Sequence, residues 1–329
     1  HTFHIPVMGL GFTVDTPIKV ARFGISSVVS IMDDFLLEDM RKIYSEKLHL
    51  PFSPIPDTEE DYRAKRVEAY LNLLHSVVQT QMQELIQSDW EKDSEFRHFL
   101  ELLPQDHILH ELYSEYLSSD PNQKGPLRRQ IRSYLTPGSI DVNIMTKVDK
   151  LNQGPDGEDL PREYSDALSA LRGFAKSNLD AAVVFSAGLN PALYSYAEQF
   201  PGFFPDEKGH IQKRIILKVS DYRSALIQGK FLAKKGLWVS EFRIESGLNC
   251  GGHAFATDGY LIGPILEEFK TNRGQLIETL KTGVNQALAD KNLPLLPETK
   301  LIKITYQGGI GNAQEDDFLR KHYQLDGTG

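Results

Sequence analysis

A single cysteine, Cys250, stands in a chain of 329 residues. One thiol cannot build an internal disulfide framework or a multi-cysteine metal site. So little cysteine fits a reducing compartment, and the expected location is the cytoplasm. No run approaches the ~20 consecutive apolar residues of a membrane-spanning helix, so no membrane association is expected. Positive charge is in the minority, with 36 Lys and Arg against 45 Asp and Glu and a formal net charge of -9. That balance argues against a general binder of nucleic acid or anionic membrane, since both need clustered Lys and Arg. No secretory leader is legible, although the chain opens at His1 rather than Met, which leaves room for one ahead of it. Internal repeats, low-complexity tracts and a dinucleotide-binding Gly-x-Gly-x-x-Gly after a strand are also missing.

What is there is an ordinary globular balance, 40% hydrophobic and 25% charged, in a chain long enough to bury a sizeable core. Short runs rich in Val and Ile end in Gly, Ser, Asn or Asp, as buried parallel strands do. Seven are predicted, at 4–9, 26–32, 140–146, 181–187, 214–219, 238–245 and 301–306. Helical patterns are predicted at 16–23, 192–199, 222–235, 262–290 (as two helices parting near 271–274) and 314–323. Strand and helix in alternation imply right-handed βαβ units. The expected fold is a TIM-type (β/α)8 barrel formed by 1–32 and 137–329, its eighth strand lying beyond Gly329. Segment 33–136 breaks the rhythm. It has no convincing strand, it is helical at 59–87, 94–103, 107–117 and 126–134, and Asp120-Pro121-Asn122 within it reads as a turn. It is expected to be an insertion after the second strand that covers a barrel face, supports a subunit contact or forms a lid. Residues 152–163 read as a polar surface loop.

Several segments could carry chemistry at the C-terminal ends of such strands, where barrels place their sites. The run Pro6-Val7-Met8-Gly9-Leu10-Gly11 ends a strand in two close glycines, which either admit a flat ligand to the backbone or make a tight turn. Gly251-Gly252-His253 follows the sixth strand and offers an imidazole suited to general acid–base work, or a helix cap. Gln307-Gly308-Gly309-Ile310-Gly311 precedes a helix, as a phosphate cradle or a turn would. Asn143 sits within an apolar strand, where an unbonded amide costs about 1–3 kcal/mol. It bonds either a heterocycle's edge or a neighbouring strand end. Lys218, closing the fifth strand, either reaches a cofactor or faces solvent. His107 and His110 are spaced as helix neighbours, but no further ligands can be placed with them, so no metal site is expected.

The order of these pieces resembles the nitronate monooxygenase / 2-nitropropane dioxygenase family of FMN-dependent barrels and its enoyl reductase and NADH:quinone reductase relatives. The residues that carry the resemblance are Pro6-Val7-Met8-Gly9, Thr16-Pro17, Gly24-Ile25-Ser26-Ser27, Val142-Asn143, Gly188, Gly251-Gly252-His253, Gly308-Gly309-Ile310 and Asp326-Gly327. It spans 4–32 and 139–329 and leaves out the insertion. Where that family has Gln and Glu ahead of its Gly-Gly-His, this chain has Ser246 and Asn249. The resemblance implies FMN across the C-terminal barrel face. Met8 and Gly9 would border the ring, with Asn143 on its polar edge. Gly251 and Gly252 would line the ring or phosphate side, and the Gly308 and Gly309 backbone would hold the phosphate. His253 would be the general acid or base. NAD(P)H or molecular oxygen would be the electron partner, and a homo-oligomer is compatible. Two rivals stay open: a flavin-free lyase or isomerase of phosphorylated metabolites, and a non-catalytic barrel that binds partners through its insertion.

Overall fold

The computed structural model describes residues 1–7, 13–31, 33–92, 94–144, 149–154, 157–185, 190–245 and 262–329. Its strands are β1 (His4–Ile5), β2 (Ser26–Ser30), β3 (Ile140–Ile144), β4 (Ala181–Phe185), β5 (Lys213–Val219), β6 (Val239–Glu245), β7 (Lys303–Gln307) and β8 (Gly327–Thr328). They form an eight-stranded sheet in sequence order, and every neighbouring pair is parallel. Phe3 bridges Thr328, and the Thr328 N–H donates to the Thr2 carbonyl at 3.0 Å. The sheet is therefore a nearly closed α/β barrel of the TIM type.

The alternation along each strand separates two environments. Val29 on β2, Val142 and Ile144 on β3, Val183 and Phe185 on β4, Leu217 on β5, Phe242 and Ile244 on β6 and Ile304 on β7 join the main core with the surrounding helices. The intervening residues face the barrel axis. Val28, Ala182, Val184 and Ile216 make a small separate apolar cluster there. The rest of the inner face is polar and includes Ser30, Asp141, Asn143, Glu241, Arg243, Thr305 and Gln307, all buried. The strands are thus apolar on their outer face and largely polar on the inner one apart from that small cluster, so the apolar runs are dominated by the outer face.

The eighth strand corrects the sequence expectation, because Gly327–Thr328 within the chain supplies it, with Thr305 opposite Gly327 and Tyr306 opposite Thr328. Two residues, one of them glycine, carry no apolar run to signal a strand. Glycine is required at 327, since a Cβ there would lie 2.8 Å from the Thr2 carbonyl oxygen.

The helices, in chain order, are α1 (Thr16–Val20), α2 (Asp34–Lys47), α3 (Tyr62–Gln87), α4 (Ser94–Glu101), α5 (Ile108–Ser118), α6 (Pro121–Tyr134), α7 (Asp166–Lys176), α8 (Pro191–Ala197), α9 (Tyr222–Ala233), α10 (Ile262–Asp290) and α11 (Ala313–His322). Four depart from expectation. α2 is a 14-residue helix where none was predicted, started by Asp33, whose carboxylate accepts from the Leu36 N–H. α10 is one continuous helix, with no break at 271–274. α6 begins at Pro121, which occupies the first turn after Asp120, the position where a missing N–H costs nothing. α7 follows the 152–163 loop and is capped by Ser165, whose hydroxyl accepts from the Leu168 N–H.

The helical insertion is not detached from the barrel. Its α2 and the first turns of α3 place Leu37, Val67, Tyr70, Leu71 and Leu74 in the main core, so α3 occupies the crossover position between β2 and β3. α4, α5 and α6 build a second core around Trp90, Phe96, Leu109 and Ile131, joined by Phe23 and Ile25. Those last two lead into the N-terminal end of β2, so this half lies away from the C-terminal mouth and cannot be its lid.

Candidate functional site

Four predicted site residues lie within the described part of the chain. Asn143, Lys218, Gly308 and Gly309 all fall at the C-terminal end of a strand, as the barrel expectation requires. Met8, Gly9, Gly251, Gly252 and His253 lie outside the described residues.

Asn143 points into the barrel from β3 and pairs in register with Ser30 at the end of β2. Each is 2% exposed. Among the described residues, neither the Asn143 Oδ1 nor the Ser30 Oγ has a hydrogen-bond partner. Two orphaned polar atoms side by side, each costing about 1–3 kcal/mol when unsatisfied, mark a place where something polar belongs.

Lys218 is no solvent-facing lysine. Its Nζ lies 2.8 Å from Glu245 Oε1 across the β5–β6 ladder, and both side chains are largely buried. The same oxygen accepts from the Gln307 amide. Gln307 Oε1 in turn lies 3.4 Å from His4 Nε2. A polar belt, Lys218–Glu245–Gln307–His4, therefore runs along the inner wall from β5 to β1. Of its members only Lys218 is among the predicted site residues. The signal for Glu245, Gln307 and Ser30 is inward phase: each lies an even number of residues from another inward polar position on its strand.

Beneath the belt, Glu241 Oε1 is held by Arg243 at 2.8 Å and by the Thr305 hydroxyl at 2.6 Å. Burial alone would raise the Glu241 carboxyl, but Arg243, Thr305 and His4 together hold it below its ordinary value. Asp141 ends up the other way. Burial pushes it up, and Arg243 and the Ser139 hydroxyl only partly offset that. Burial, followed by the neighbouring Arg243 cation, lowers the His4 imidazole to about 4.

The glycine turn after β7 serves the barrel wall. Gly308 and Gly309 have φ of 96° and 71°, the left-handed region that favours glycine. The Gly308 N–H donates to the Gly329 carbonyl at 3.1 Å, so it is committed to closure rather than offered to a phosphate. At the head of α11, Asn312 caps the Glu315 N–H and Glu315 reaches back to the Gly311 N–H, a reciprocal capping arrangement. With Glu315 and Asp316 both in the first turn, this helix start repels an anion instead of seating it.

His107 and His110 act locally. His107 caps α5 by accepting from the Leu109 N–H, and His110 lies against the Pro104 carbonyl. Among the described residues no group of three or more His, Cys, Asp or Glu side chains could hold a metal ion, and no helix is long and apolar enough to cross a membrane. No protein-family model matches the chain, and no curated protein matches it either.

Proposed function

We propose that the chain is an FMN-dependent oxidoreductase of the nitronate monooxygenase or enoyl reductase kind, its site at the C-terminal mouth of the barrel. The observation that carries this reading is the orphaned pair, Asn143 Oδ1 and Ser30 Oγ. A carbonyl acceptor beside a hydroxyl matches the imide-like edge of an isoalloxazine ring, which presents an N–H flanked by carbonyls. Asn143 would accept from that N–H while Ser30 donates to a flanking oxygen. FMN, when bound, supplies the electron transfer that no side chain can perform.

The chain's own residues would bind and position. Lys218, fixed by Glu245, places a cation at the mouth where negative charge on a reduced ring would be stabilised. His253 follows β6 in the chain and is the candidate to take a proton α to a nitro group or return one to a double bond. Gly308's engaged N–H removes it from the phosphate's donors, and Gly309 stays a candidate. Met8, Gly9, Gly251 and Gly252 remain part of the reading on the resemblance alone. NAD(P)H or oxygen would exchange electrons with the ring, and a single cysteine suits a cytoplasmic setting.

The test is the visible spectrum of the full-length protein as isolated, followed by anaerobic reduction with NADH or NADPH and turnover of an alkyl nitronate or an enone. An oxidised-flavin band that bleaches on reduction, with turnover lost in His253→Ala, is expected. A colourless protein that takes up no added FMN sinks the proposal.

A further inference from the structure

The opposite end of the barrel holds a cavity of about 340 Å³ among the N-terminal strand ends. Its walls carry more cation than the fold can use. Arg214, Arg243, Lys300 and Lys303 all line it. The carboxylates that share the lining are committed elsewhere or muted. Glu241 is held by Arg243 and Thr305, Asp326 pairs with Arg273 outside the cavity at 2.7 Å, and Asp141 is bonded by the Ser139 hydroxyl. Arg214 pairs with Asp180. Lys300 has the neutral Gly209 carbonyl at 3.2 Å and no ion pair, and Lys303 makes none either, among the described residues. Burial, followed by repulsion from Arg214, lowers the Lys300 ammonium, and the Asp180 and Asp206 carboxylates, which do not line the cavity, only partly offset this.

The backbone adds a donor. A register shift between Ile215 and Ile216 lies opposite 239–241, and this local irregularity brings both Ser240 and Glu241 to the cavity lining. The Ser240 hydroxyl is buried and, among the described residues, has no hydrogen-bond partner.

We infer that this end of the barrel is a second ligand site, for a small oxyanion, either a carboxylate or a phosphate, held by Lys300, Lys303 and the Ser240 hydroxyl. The volume is at the low end for small-molecule sites, which run from about 300 Å³ upward, so the ligand is a compact metabolite rather than a nucleotide. The site is separate from the mouth that would take FMN and stands or falls independently of it.

The experiment is calorimetric titration and thermal melting of the full-length protein with inorganic phosphate and, separately, citrate, against sodium chloride at matched ionic strength. Saturable binding of one probe is expected, with a rise in Tm beyond the chloride control. The tighter probe identifies which oxyanion chemistry the site prefers. Lys303 is exposed, so Lys303→Glu should leave the unliganded Tm unchanged while weakening binding about tenfold or more, on the scale of a lost charge-assisted hydrogen bond. Ser240→Ala should weaken it less. The visible spectrum should not change in either variant. Stabilisation no greater than that of chloride, or binding undiminished in Lys303→Glu, overturns the inference.

Discussion

Arg243 is 2% exposed and Glu241 9%, so each is a buried group whose ion-pair partner is the other. Removing one partner strands a buried ion. Arg243→Met should therefore cost about 3–5 kcal/mol in urea unfolding, while the double variant with Glu241→Met should recover most of that loss. Equal losses in the single and double variants would refute the pairing. His4 adds a pH dependence. Its folded pKa is lowered from 6.5 to about 4, so between those values the unfolded chain takes up a proton that the folded chain refuses. Stability from this group is complete above pH 6.5 and falls as pH drops towards 4, by roughly 3 kcal/mol. His4→Gln should flatten that limb of the stability curve, and an unchanged limb would assign the acid sensitivity to other groups. At this scale the sequence is only partly readable. Asn143 is conspicuous as an amide in an apolar run, but Glu241 and Arg243, in the middle of β6, give no sign of their pairing until the inner face is known to be polar.

Among the elements, α10 and α7 respond oppositely to the same change. Gly274 lies inside α10 with nothing within 4 Å of an added Cβ, so Gly274→Ala should stabilise by about 1 kcal/mol. Gly173 on α7 lies where a Cβ would sit 2.5 Å from the Ala64 carbonyl and 2.7 Å from Val67 Cβ. Gly173→Ala must push α7 off α3 and should destabilise despite its better helix propensity. Matching signs in thermal melts of the two variants would contradict the packing described. The six longer strands, β2 to β7, are legible because most of their outer residues are Val, Ile, Leu or Phe. β8 is not, because closure by a glycine and a threonine depends on backbone approach and leaves no hydrophobic trace. α10 looks broken from sequence because Asn272 and Gly274 are weak helix formers. Tertiary contacts override that: Arg273 in the same stretch ties the helix to the Gln324 and Ile302 carbonyls and to Asp326.

For the molecule as a whole, strand order alone sets which residues share a rim. Parallel strands in sequence order bring every strand's C-terminal residue to one rim, which is why Asn143, Lys218 and Gly309 could be placed together from the chain. What order cannot tell is how the rim's backbone donors are used. The Gly308-Gly309 turn has the composition of a phosphate loop, yet barrel closure takes the Gly308 N–H, and the acidic start of α11 turns away anions. The insertion is likewise visible as a block but not as two bodies, because the division depends on tertiary partners: α4, α5 and α6 join Phe23 and Ile25, while α2 and the first turns of α3 join the main core.

FMN titration of the apoprotein against its Asn143→Leu variant, with urea unfolding of both, tests the central claim most directly. Leucine fills the space without an orphaned acceptor, so the variant should be more stable by about 1 kcal/mol and bind FMN about tenfold more weakly. Equal FMN affinity in the two proteins, or no FMN binding by the folded native chain, would contradict the account.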